Sequence, residues 1–70
     1  MSDSKAEAEN KIKGHRKAIR EHIEKYRKYP HEQDKQFAVK TIQRVQTIIA
    51  GLRKPYAKNI PASPEDTWKP

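Results

Sequence analysis

Proline placement limits the possible folds of this chain more than any other feature. One proline, Pro30, lies in residues 1–54, and the other four (Pro55, Pro61, Pro64, Pro70) fall in residues 55–70. Proline fixes φ and lacks a backbone donor, so it breaks helix interiors and is excluded from central strands. The chain is therefore divided into two long proline-free stretches and an irregular tail.

The first stretch reads as a helix over about 4–28. Ile12, Ile19 and Tyr26 recur at steps of seven, and Ile23 stands four residues after Ile19. They form one narrow apolar stripe. Ser2, Asp3 or Ser4 can cap its start. Glu7 and Glu9 come early and Lys25, Arg27 and Lys28 late, an order that suits the helix dipole. Glu21 precedes Lys25, and Glu24 precedes Lys28, by four residues, the favoured orientation for such pairs. Gly14 interrupts the pattern and marks either fraying or a close backbone approach. Tyr29-Pro30 ends the helix, because the residue before proline is driven out of the helical region.

The second stretch reads as a helix over about 34–53 that begins between residues 30 and 35: Asp34 is a good N-cap, Glu32 also favours a helix start, and Pro30 in the first turn is the alternative. Ala38, Ile42, Val45, Ile49 and Leu52 are spaced four, three, four, three, and Phe37, Thr41 and Ile48 flank that seam. A strand would alternate with period two, so the spacing selects helix despite the many β-branched residues. Gly51, Arg53, Lys54 and Pro55 are stop signals. The predicted fold is all-α: an antiparallel two-helix hairpin over residues 1–54 with an irregular Pro-rich C-terminal tail over 55–70. Coiled-coil-like seams predict a crossing near +20°. In the tail, Ser63-Pro64-Glu65-Asp66 reads as a helix start, giving one short turn over 64–68. Tyr56 and Ile60 are expected to fold back on the hairpin, and Trp68 either folds back with them or is a candidate partner anchor.

Composition narrows the function. Seventy residues make one small domain, and such a core rarely supplies more than about 3–5 kcal/mol. There is no Cys, which excludes disulfides and thiolate metal sites. No apolar run exceeds three residues, as in Ile48-Ile49-Ala50, too short to span a membrane or to form a signal-peptide core. The expectation is a cytoplasmic protein with no membrane contact and no cofactor.

Charge is the other strong signal. The chain carries 16 Lys+Arg against 9 Asp+Glu, a net +7. Residues 11–28 alone carry +6, residues 29–54 +3, residues 1–10 −2, and the tail zero. Lys11, Lys13, Arg16, Lys17, Arg20, Arg27 and Lys28 form a candidate polyanion-binding stripe, with Tyr26 or Tyr29 available to stack on a base. The competing reading is a solvated helix face.

His15 and His22 share a register position next to the Ile12–Ile19–Tyr26 seam and face the second helix or its margin. At two helical turns, about 10 Å, they cannot share one metal ion, and helical metal pairs use a spacing of four. They read as seam histidines, with a pH-sensitive interface as the functional alternative. No phosphate loop or Cys nucleophile is present, so no enzyme is expected. A metal-independent ribonuclease would have to draw on His22, Arg20 and Asp34.

The pattern I-x-G-H-x-x-A-I-x-x-H-x-x-K, followed by P-x-x-Q-D and an amphipathic helix, resembles a helical-hairpin module. That module occurs in C-terminal segments of bacterial polymorphic toxins of the Rhs and contact-dependent types. The matching residues are Ile12, Gly14, His15, Ala18, Ile19, His22 and Lys25, then Pro30, Gln33 and Asp34, within residues 12–54. The resemblance implies a similar hairpin and a toxin-associated module or small effector. A free-standing chain with its own Met1 and a Pro-rich tail departs from that pattern.

A two-helix protein must hide its apolar surface. The leading expectation is therefore a small basic helical-hairpin interaction protein, non-catalytic, that docks on a larger protein or self-associates into a helical bundle. Its core or interface residues would be Ile12, Ile19, Ile23, Tyr26, Phe37, Ile42, Val45, Ile48, Ile49 and Leu52. Ile48 or Val39 is expected to remain exposed on the wider face of the second helix. The alternative is a hairpin that binds the phosphate backbone of RNA or DNA.

Overall fold

The computed structural model describes residues 4–70. Helix α1 spans Lys5–Lys28 and helix α2 spans Glu32–Arg53. Two short 3-10 turns follow, η1 at Lys54–Tyr56 and η2 at Pro64–Thr67. No strand occurs among the described residues. The fold is an all-α hairpin with a short helical element in its tail. Of the possible caps for α1, Ser2 and Asp3 lie outside the described residues. Ser4 takes the role, its hydroxyl oxygen accepting from the Glu7 amide at 3.3 Å.

Pro30 separates the two helices. Tyr29 is extended, and its amide closes α1 on the Lys25 carbonyl. α2 begins at Glu32, within the expected 30–35, with Glu32 and Asp34 in its first turn, where carboxylates suit the helix dipole. Asp34 is therefore a first-turn residue and not the N-cap; that position belongs to His31, without a side-chain bond.

Neither glycine does what its position suggested. Both lie inside helices, neither has positive φ, and nothing stands within 4 Å of a Cβ built at either. α2 runs through Gly51 to Arg53 and tightens into η1 before Pro55.

The core is a line of isoleucines. Ile12, Ile19, Ile42 and Ile49 are fully buried between the helices. Ala8 extends that cluster at one end, and Ile60 closes over it from the tail. Ile23, Val45, Leu52, Tyr56 and Trp68 pack against it, partly buried. Two flank assignments come out opposite to each other. Val39 is buried, at 7%, whereas Ile48 is exposed, at 42%. Phe37, expected beside the seam, is 73% exposed.

Two substitutions check this packing by thermal or urea unfolding. Gly14→Ala should stabilise the chain by about 1 kcal/mol, since it removes a helix-interior glycine with open space beside it. Ile19→Ala should cost about 2–5 kcal/mol, enough to unfold most of a chain this small. A stability loss on Gly14→Ala would mean that α1 is not continuous there.

Candidate functional site

The tail is held against one flank of the hairpin by a cluster of ion pairs and hydrogen bonds. Ser63 is extended, Pro64 opens η2, and two acids follow in its first turn. The Ser63 amide donates to Asp66 Oδ2 at 3.2 Å, and its hydroxyl donates to the Glu65 carboxylate. This short turn fixes both carboxylates toward α1. Arg16 forks onto Asp66, with Nε to Oδ1 at 3.0 Å and Nη2 to Oδ2 at 2.7 Å. The same Nη2 donates to the Pro61 carbonyl at 2.9 Å. Arg20 Nη1 reaches Glu65 Oε1 at 2.8 Å.

α2 holds the tail from its other side. Gln46 Nε2 donates to the Glu65 and Trp68 carbonyls at 3.0 and 2.9 Å, and Arg53 Nε donates to the Ile60 carbonyl at 3.2 Å. Trp68 meets Tyr26 edge to face, with ring centroids 5.5 Å apart, a favoured aromatic geometry. The Lys35 ammonium lies 5.5 Å from the centre of the same Tyr26 ring, within cation–π range.

The acids titrate accordingly. The Ser63 hydroxyl, then the Arg20 guanidinium, lower Glu65 from 4.5 to about 2. Burial opposes ionisation of Asp66, but the Arg16 fork, the Ser63 amide and the charges of Arg16 and Arg53 outweigh it, so its pKa is lowered. The hydrogen bonds that Arg16 donates to Asp66 push its own pKa up, against a smaller effect of burial.

This geometry redistributes the expected polyanion stripe. Arg16 and Arg20 already hold carboxylates of their own chain, and the Arg16 side chain is only 18% exposed. The tail acids are what they bind: Arg16 is covered by its pair, while Arg20 keeps 56% of its side chain exposed beside Glu65. Lys11, Lys13, Lys17, Arg27 and Lys28 are exposed, with Lys28 3.8 Å from Glu24. Trp68 likewise has a partner within the chain, Tyr26, and does not project as a free anchor.

The groove between α1 and η2 has a volume of about 420 Å³ and is walled by Ile23, Arg27, Pro64 and Trp68. His22 Nδ1 donates to the Ala18 carbonyl at 2.8 Å, a bond within its own helix. Arg20 and His22 are two residues apart on α1, so they point to opposite flanks and do not converge. No group of three His, Asp or Glu among the described residues can hold a metal ion. No helix among them is long and apolar enough to cross a membrane. No family model matches this chain, and no curated protein or solved structure matches it either.

Sequence reasoning missed the Arg16–Asp66 and Arg20–Glu65 pairs. The available signal was an acidic pair held in a capped turn, two residues before the only tryptophan, in a chain whose first helix is strongly basic.

The low carboxylate pKa values set a pH window. A carboxylate whose folded pKa is depressed stabilises above its unfolded value and loses that contribution as pH falls through the folded one. Trp68 fluorescence should therefore hold steady from neutral pH to about 4.5 and shift toward the exposed-indole spectrum as pH falls to about 2. Glu65→Gln should reduce the amplitude. A spectrum that stays constant to pH 2 would show that the acids do not hold the tail.

Proposed function

We propose that this is a small, basic, non-catalytic interaction protein. It docks on a larger macromolecular partner or assembles with copies of itself, within the cytoplasm. One observation carries this reading: after the tail has covered one flank of the hairpin, Phe37 and Ile48 still stand exposed at 73% and 42%. A large aromatic side chain in water on a rigid helix is the kind of residue that anchors protein interfaces.

A phosphate-binding reading rests on a different observation, the exposed Lys13, Lys17 and Lys28 on α1. It is the weaker of the two. The arginines best suited to bidentate phosphate contacts, Arg16 and Arg20, are paired within the chain.

Photo-crosslinking in cells separates these readings. A photoreactive residue at position 37 should yield a covalent adduct with a protein, either a partner or a second copy. The same residue at position 17 should not. Nucleic-acid adducts from position 17 with none from position 37 would overturn the docking reading in favour of phosphate binding. No adduct at either position would overturn both.

A further inference from the structure

α2 carries more apolar surface than its own chain covers. Phe37, Thr41, Val45, Ile48 and Leu52 are spaced four, four, three, four, so they lie in one stripe along the helix. Val45 and Leu52 are half-buried at its inner edge, and Phe37 and Ile48 are exposed. The Thr41 hydroxyl donates to the Phe37 carbonyl at 3.1 Å, so the polar end of that side chain is turned back onto its own helix.

The tail locates this stripe on the molecule. Gln46 and Arg53 of α2, with Arg16 and Arg20 of α1, grip the tail on one flank. Helical periodicity puts the Phe37–Leu52 stripe on the other flank of the Ile42–Ile49 seam, with His15, Ala18 and His22 of α1 on the same side. The tail therefore cannot cover it. At 1.5 Å per residue the stripe is about 22 Å long, the length of a four-turn helix.

Its border is cationic. Lys40 and Arg44 of α2 and Lys25 of α1 border it, against Glu7 and Asp34 at its two ends. The whole chain carries +7. Two copies meeting on this stripe would bring like-charged borders together, which disfavours self-pairing. An apolar strip with positive margins complements a helix with an apolar seam and negative margins.

We propose that this stripe binds an acidic amphipathic helix of a partner protein, which completes a three-helix arrangement with α1 and α2. The inference rests on the docking reading and specifies its partner.

The test is calorimetric titration of the full chain with two synthetic three-heptad peptides that have leucine at both seam positions. One carries glutamate at the flanking positions and the other lysine. The glutamate peptide should bind one-to-one, about 10-fold or more tighter than the lysine peptide at low salt, and more weakly as salt rises. Phe37→Ala and Ile48→Ala should each weaken it by about 10-fold, with helical circular dichroism unchanged because both residues are exposed. Lys13→Ala with Lys17→Ala, on the opposite side of α1, should leave it as it was.

Equal affinity for the two peptides, no affinity for the glutamate peptide, or indifference to Phe37→Ala would overturn the inference. A chain that sediments as a dimer and becomes a monomer on Phe37→Ala would preserve docking and overturn the acidic helix. Binding to phosphatidylserine vesicles through Phe37 and Ile48, with no peptide affinity, would overturn both.

Discussion

The rest of the structure depends on the fork between Arg16 and Asp66. The Asp66 side chain is only 7% exposed, and a carboxylate so far from water needs charged or hydrogen-bonding partners. Arg16 supplies two bonds to it and a third to the Pro61 carbonyl. Those bonds fix the tail in position and in register. Ile60 then closes the isoleucine core and Trp68 comes to rest on Tyr26. A partly buried ion pair of this kind adds little over an apolar replacement, but losing one partner leaves the other without its counter-charge. Its main contribution here is to specify where the tail lies.

That placement makes the hairpin two-sided. One flank is sealed by the tail and bonded to Arg16, Arg20, Gln46 and Arg53. The other presents Phe37 and Ile48 between cationic margins. The chain's charge is reshaped in the same step. The tail's net zero conceals two acids set against α1, which pair with Arg16 and Arg20 of the basic stretch. What remains positive is lysine-rich and more dispersed, and part of it borders the apolar stripe.

The helices were legible because proline placement and the three-four spacing are local signals. Pro30 divides α1 from α2, Ile12–Ile19 and Ile42–Ile49 mark the seams, and Ser63-Pro64 opens the last turn. The arginine–carboxylate contacts were not legible, since Arg16 and Asp66 are 50 residues apart. Summing charge by segment let Glu65 and Asp66 cancel against Lys58 and Lys69. The glycines misled for a local reason: helix interiors tolerate glycine at a modest cost, and neither position requires it.

The most direct test is a double-mutant cycle on the Arg16–Asp66 pair, read by urea unfolding of Arg16→Ala, Asp66→Ala and the double variant. If the fork anchors the tail, the two residues should show a coupling energy of about 1 kcal/mol or more. Each single variant should also expose Trp68, with a red shift in its emission. Additive effects with Trp68 emission unchanged would contradict the claim that this pair holds the tail as an integral part of the fold.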